Sequence, residues 1–281
     1  MRTVADPRSL RAVVQAWKKD GQRVAFVPTM GNLHAGHFSL VELARRHADR
    51  AVVSVFVNPT QFGPNEDYTR HPRTLAEDSV GLVEHQCDLL FAPTVETMYP
   101  FGPEHALRIH VPDIGDTLEG AHRPGHFDGV ATVVAKLLLM VEPDLAVFGA
   151  KDWQQLLVVR RLVRDLGLPV EIMAGPIVRE ADGLAMSSRN RYLDAHQHAR
   201  APQLHETLQW MRESFVEGHA LKAIEGAAMR RLERAGFAPD YAVVRRTEDL
   251  DVPAEDERTG LMALAAAKLG DTRLIDNLAF D

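Results

Sequence analysis

Two histidines three residues apart, His34 and His37, stand in the stretch PTMGNLHAGHFSL over residues 28–40, between the apolar run VAFVPT and the helically spaced SLVELARRHAD. That spacing places both rings on one helical face if the first turn is helical. Gly31 and Gly36 have the glycine spacing of a P-loop, but His37 and Phe38 stand where its Lys-Ser/Thr pair is required, which excludes a Walker loop. A glycine-containing strand-to-helix turn still predicts backbone N–H groups presented at a helix N-terminus, where phosphate is favoured. Imidazolium or neutral imidazole donors there would stabilise charge developing on a phosphoryl group. Loop histidines, or a metal pair, are the competing readings. No third ligand and no H-E-x-x-H accompany them, so no metal site is expected.

Four further segments carry usable side chains. NPTQFGPNED over 58–67 holds Asn58 and Gln61; a neutral amide can donate to and accept from hydroxyls without adding charge, or simply serve a turn beside Pro59. EGAHRPGHFDGV over 119–130 brings Arg123 and His126, with Gly125 and Gly129 marking tight backbone before a helix. A structural role is expected for His126, since no acid–base partner can be named. FGAKDWQQ over 148–155 puts Lys151 at the end of a strand-like run, where it is either a phosphate contact or a solvated surface charge. READGLAMSSRNRYL over 179–193 offers two hydroxyls and a guanidinium on a Gly-flanked loop, able to grip and release an anionic leaving group. Its alternative is an interdomain linker with helix-capping serines.

The elements that must position these residues read as follows. Short apolar runs from Val24, Ala51, Asp88, Asp144 and Pro169 end at Pro, Gly or Asn and lack clean alternation, the pattern of parallel strands buried on both faces. Helical spacing lies between them, at 128–141 and 153–166. The expected fold is α/β, a Rossmann-like doubly wound parallel sheet whose ligands sit beyond the carboxyl ends of its strands. After about Gly175 a helical stretch over 195–235 precedes three strand-like runs, from Asp240, Gly260 and Thr272, which predicts a smaller C-terminal α+β domain. The boundary is placed near Pro176, dividing the chain into 1–176 and 177–281.

Composition narrows the partners. The net charge of -7 over 281 residues weighs against a nucleic-acid clamp, and 177–281, with 14 basic and 18 acidic residues, is no more basic than the whole. One cysteine, Cys87, excludes an internal disulfide framework and a thiolate-rich zinc site. No apolar run is long enough to span a bilayer, and the N-terminus lacks a secretory pattern. A cytoplasmic protein is expected.

Taken together, the five segments resemble the pantothenate synthetases of the H-x-G-H nucleotidyltransferase superfamily. P-T-M-G-x-L-H-x-G-H, N-P-x-Q-F, R-P-G-H-F-x-G-V, G-x-K-D-aromatic-Q-Q and R-E-x-D-G-L-A-M-S-S-R-N-x-Y-L occur in matching order between Pro28 and Leu193, and no specific motif follows. Three positions depart from the pattern: His71 for the usual Tyr, Ala150 for Glu, and Ile177 for Thr. The resemblance implies ATP-dependent condensation of (R)-pantoate with β-alanine to pantothenate, AMP and pyrophosphate through a pantoyl adenylate. It implies a catalytic set of His34, His37, Lys151 and Arg189, with His37 as proton donor. Met30, Gly31, Asn32, Leu33, Ala35, Gly36, Gly149, Ala150, Asp152, Val178, Met186, Ser187 and Ser188 then fall at nucleotide-binding positions. Gln61, Gln155, Asn58 and Arg123 fall around pantoate, with Gln61 also reaching β-alanine.

Mg²⁺ is expected with the triphosphate, because its charge is otherwise unneutralised. An adenylate needs protection from water, so the domain after Pro176 is expected to act as a lid. The resemblance also implies a homodimer, small-molecule substrates, and neither nucleic acid nor membrane as partner. A nucleotidyltransferase with another acceptor would not explain N-P-T-Q-F. A catalytically dead nucleotide sensor would have lost His37, Lys151 or Arg189, all of which are present.

Overall fold

The computed structural model describes residues 1–63, 68–69 and 72–280; the His71 departure and the end of the 58–67 segment lie outside them. The chain forms two compact units, 1–150 with 158–176, and 151–157 with 177–281. Residues 151–157, including Lys151, thus group with the second unit, whereas the sequence reading ran the first domain unbroken to 176.

In the first unit the order is β1 (Arg2–Val4), α1 (Pro7–Lys19), β2 (Val24–Thr29), α2 (Ala35–His47), β3 (Arg50–Val55), α3 (Leu75–Glu84), β4 (Leu89–Phe91), α4 (Val95–Met98), α5 (Glu119–His122), α6 (His126–Val141), β5 (Leu145–Gly149), α7 (Trp153–Asp165) and β6 (Glu171–Gly175). The first turn of α7 belongs to the second unit. Six parallel strands lie in the order β1-β4-β3-β2-β5-β6. The chain winds outward from β2 through β3 and β4, then returns to β2's other side as β5. The carboxyl ends of β2 and β5 therefore flank the switch point at which such sheets bind ligands. Val24, Ala25, Phe26 and Val27 are all buried because both faces of β2 are covered, which is why the run shows no alternation. Edge strand β1 escaped the sequence reading because only Val4 of its three residues is buried.

Half-buried carboxylates secure the amino ends of the strands, away from the switch point. Asp88 accepts from the Ala51 amide at 2.8 Å and pairs with Arg45 and Arg50, and Asp144 accepts from the Val24 amide at 2.7 Å and from Lys18. Cys87, buried beside them against the Leu89 carbonyl, has its thiol pushed up to about 12 by burial. A thiolate is the reactive form. Labelling of Cys87 by an aromatic disulfide reagent at pH 8 is therefore expected to run at the rate of unfolding, and rapid labelling of the native protein would contradict this placement.

The second unit continues with α8 (Ala195–Arg200), α9 (Gln203–Val216), α10 (Leu221–Arg234), β7 (Ala238–Arg246), β8 (Leu261–Leu269) and β9 (Thr272–Ala279). The single helical stretch expected over 195–235 is three helices. Pro202 precedes α9, and Gly218, at φ 87°, follows it. The three strands form an antiparallel sheet, β7-β8-β9, and Leu204, Leu208, Met211, Ile224 and Leu232 pack on it over Ala263, Ala265 and Leu274. No helix among the described residues is long and apolar enough to cross a membrane.

Candidate active site

β2 ends at Thr29, and the chain turns through Met30, Gly31, Asn32 and Leu33 before His34 caps α2. Gly31 has φ 82°, and a Cβ there would sit 3.0 Å from Val55 and 3.1 Å from the Asp78 carboxylate, so only glycine fits without displacement. The turn does not present its amides outward as expected. Gly31 N–H donates to Thr29 Oγ1 (3.2 Å), and Asn32 and Leu33 N–H donate to the two oxygens of Asp78 (3.0 and 2.8 Å). A buried carboxylate on α3 has taken two of the amides that the turn was expected to offer. Asp78 thereby holds the loop's shape, and any nucleotide contact by Asn32 or Leu33 must use other atoms.

The two histidines cap the helix start. His34 Nδ1 accepts from Gly36 N–H (3.1 Å), and His37 Nδ1 accepts from His34 N–H (3.4 Å), a reciprocal cap of the helix start. An amide can only donate, so each Nδ1 is the bare nitrogen and each ring carries its proton on Nε2. The ring centroids lie 4.1 Å apart. Capping and tautomer selection are one set of bonds here, and the structure selects the neutral donor from the two forms the sequence left open.

A second cluster adjoins this turn. Gln61 is buried in the turn after β3; its Nε2 donates to Met30 Sδ (3.0 Å) and its Oε1 accepts from Asn58 Nδ2 (3.1 Å). Asn58, 1% exposed, also donates to the Gly129 carbonyl and accepts from the Tyr99 hydroxyl (2.7 Å). Both ends of the Asn58 amide are engaged inside the protein, and one of these bonds holds Gln61. His126 Nδ1 donates to the Gln61 carbonyl (2.8 Å), and its Nε2 accepts from Arg123 (3.0 Å). The partner that could not be named for His126 is thus the Gln61 backbone, and Arg123 reaches the cluster through that ring. Gly129 permits the approach of α6, because a Cβ there would lie 2.4 Å from the Thr60 carbonyl oxygen. Gln61's amide ends on a thioether, a weak acceptor that a hydroxyl or carboxylate oxygen replaces with gain.

The second unit brings together Lys151, Ser187 and Arg189, which line one cavity with Asn190, Arg273 and Asp276. Lys151 lies in a helical turn over Ala150–Asp152, its side chain largely buried and its ammonium 3.9 Å from Asp152. Ser187 caps the turn Ser188–Tyr192, its Oγ accepting from Arg189 N–H (3.2 Å). This is the capping role given as the alternative reading, and it aims the loop at the cavity. Val178, Met186, Ser188, Asp152 and Gln155 are not on the cavity wall; Gln155 is half-buried on the first turn of α7. Among the described residues only Glu180, Asp182 and His198 cluster as metal ligands could, and none of them lines this cavity.

Four participants were missed from sequence: Asp78, Tyr99, Asp276 and Asn277. Two carried a readable signal. Asp78 occupies the inward stripe of α3 four residues before buried Leu82, and Asp276 falls between Leu274 and Leu278 on the inward face of β9. A carboxylate in an apolar register is costly unless it is paired.

A doubly wound sheet with two imidazoles at the helix start beyond its central strand is the H-x-G-H nucleotidyltransferase design. Comparison with known proteins narrows this class. The family model described as pantoate-beta-alanine ligase matches residues 2–279. The chain belongs to that family, whose reaction joins pantoate and β-alanine into pantothenate. The pantothenate synthetase of Xanthomonas axonopodis pv. citri (strain 306) is 56% identical over 280 residues, covering 100% of both chains. Among solved structures, the pantothenate synthetase of Thermus thermophilus superposes at TM-score 0.93, with 49% identity over 100% of this chain and 99% of that one. A pantoate-beta-alanine ligase from Francisella tularensis, complexed with beta-gamma ATP and beta-alanine, matches at TM-score 0.84 and 32% identity over 100% and 98%.

Proposed function

We propose that the chain makes pantothenate in two half-reactions, using ATP, pantoate and β-alanine. A pantoate carboxylate oxygen attacks the α-phosphorus of ATP, and the bond from that phosphorus to the β,γ-bridged pyrophosphate breaks, leaving pantoyl adenylate. The uncharged amine of β-alanine then attacks the adenylate carbonyl, the bond to AMP breaks, and the nitrogen sheds a proton as the amide forms. Activation is needed because a carboxylate oxygen is a very poor leaving group, and the protein's share is chiefly positioning and charge stabilisation.

The observation that carries this reading is the reciprocal cap on His34 and His37, which leaves an Nε2–H on each ring beyond the central strand. In this account His34 and His37 donate to the α-phosphate oxygens, where charge grows in the transition state. Lys151, Ser187, Ser188 and Arg189 hold the pyrophosphate as it forms. Residues 30–37, 149–152, Val178 and Met186 contact the nucleotide through backbone and side chain. Gln61 and Gln155 bind pantoate, and Gln61 also meets β-alanine. Asn58 and Arg123 act behind Gln61. Mg²⁺ suits this site as the triphosphate's own counterion: among the described residues Asp276 is the one carboxylate on the cavity wall, and Arg179 already binds it. When bound, the ion neutralises phosphate charge. The protein is proposed to work as a cytoplasmic homodimer.

Pyrophosphate release from purified protein with MgATP and pantoate, without and with β-alanine, tests the proposal. Pyrophosphate before β-alanine is added, then AMP and pantothenate one for one, is the expected result. Absence of pyrophosphate with pantoate would reject the substrate assignment. Gly129→Ala, which drives a methyl into the Gln61 turn, is expected to cost about 1–3 kcal/mol and to raise KM for pantoate. A melting temperature and KM like those of the parent would show that the turn yields freely. The adenylate also calls for a lid, which the second unit is proposed to supply through the loop around Ser187. Tryptic cleavage after Arg189 or Arg191 should slow under saturating ATP and pantoate, and an unchanged rate counts against the lid.

A further inference from the structure

β9 alternates in the ordinary way, with Leu274 and Leu278 turned to the helix-covered core, until Asp276 interrupts it. Its carboxylate is 2% exposed and takes a two-point grip from Arg179, at 2.7 and 3.1 Å, with His205 Nδ1 at 3.5 Å. Burial alone would raise this carboxyl, yet His205 and Arg179 hold it below the usual aspartate range. Arg179 does more than neutralise. Its guanidinium also donates to the Gly183 carbonyl (3.1 Å), and its backbone bridges Ala185. Met186 N–H reaches the Val178 carbonyl (2.9 Å), closing a hairpin over 178–186 that leads directly into Ser187, Ser188 and Arg189.

The neighbouring residue reaches the backbone of the stretch that carries the cavity's lysine. Asn277 Nδ2 donates to the Lys151 carbonyl (2.8 Å), and Asn277 N–H donates to Asp276 Oδ1 (2.8 Å). Two adjacent residues on one strand therefore hold the two separate stretches of chain that supply the cavity's lysine and its serine-arginine loop. β9 itself is held in register against β8, with Asp276 opposite Ala265 and Asn277 opposite Leu264. We propose that Asp276 and Asn277 are positioning residues that set Lys151 and the loop over 187–189 at a fixed separation for the triphosphate. This rests on the assignment of Lys151, Ser187 and Arg189 to the phosphates. The physical reason is that a leaving pyrophosphate must be met by both cations at once, and an error of about 1 Å costs up to about 100-fold in rate. Tying both to one rigid strand removes that freedom.

The test uses the full-length chain carrying Asp276→Asn, Asn277→Ala, or the pair Arg179→Met with Asp276→Leu. The pair matters because replacing a buried ion pair by apolar side chains often leaves a fold as stable as before, whereas Asp276→Asn alone strands Arg179. Each variant is read for melting temperature, for kcat of pyrophosphate release, and for KM of pantoate and ATP. Expected are an apolar pair that melts like the parent, kcat down by about 10- to 100-fold in all three, and KM for pantoate within about 2-fold. A folded apolar pair with parental kcat would overturn the proposal, as would a loss in Asp276→Asn that disappears on cooling to where the variant is fully folded. Lys151→Ala and Arg189→Ala, run alongside, separate the two levels. If they abolish pyrophosphate release while the β9 variants do not, positioning alone is wrong. If they leave it intact, the phosphate assignment fails and the positioning proposal falls with it.

Discussion

His34→Asn is expected to keep the helix and lose the reaction. Asparagine is among the strongest N-cap residues, and its Oδ1 can take the Gly36 amide that His34 Nδ1 now accepts. What it cannot supply is a donor at the distance of Nε2. The melting temperature should therefore stay near that of the parent, while pyrophosphate release falls by about 10²–10³-fold, the usual cost of one lost transition-state donor. His34→Ala should lose the same rate and also about 1 kcal/mol of cap stability. Comparing the two separates the structural bond from the catalytic one, which no single substitution can do. Parental kcat in His34→Asn would remove the imidazole from the mechanism. A fall in stability equal to that of His34→Ala would mean that the cap is not set by the geometry described here.

Lys151→Ala carries the second large effect. The Lys151 side chain is largely buried, with 18% exposed. A charge there is screened less than one in water and acts more strongly on a neighbouring anion. Loss of about 10²–10³-fold in kcat for pyrophosphate release is expected, with a smaller change in KM for ATP, since the interaction grows as charge collects on the leaving group. Arginine should restore little, because a planar fork does not occupy the position of a compact ammonium. Asp152→Asn should matter far less: its contact with Lys151 is long, at 3.9 Å, and its side chain is 48% exposed. A rise in KM for ATP without loss of kcat would recast Lys151 as a ground-state contact only.

Outside these experiments, the fold was largely legible where burial was one-sided or complete over several residues. The runs at Val24, Asp144 and Thr272 became β2, β5 and β9, because strands buried on both faces, or edged by turns, leave a local record. β1 left almost none, being three residues long. The helical stretch after Ala195 was read as continuous because helical spacing persists on either side of Pro202 and Gly218. The motif residues likewise declared their type, but the use of each atom did not follow. The Gly31 turn was expected to offer amides to phosphate, yet Asp78, some 45 residues on, takes those of Asn32 and Leu33.

The class of sheet and the family could be read from the chain alone, because both depend on residue type and local spacing. Only the tertiary structure decided which atoms are available. It engaged Nδ1 of His34 and His37 in the helix cap, placed His126 between Arg123 and the Gln61 carbonyl, and put Lys151 with the Ser187 loop beside Asp276 and Asn277. Hydrogen bonds between residues 46, 65 or 126 positions apart leave no periodic trace in a chain, and a buried polar group shows its purpose only once its partner is in contact.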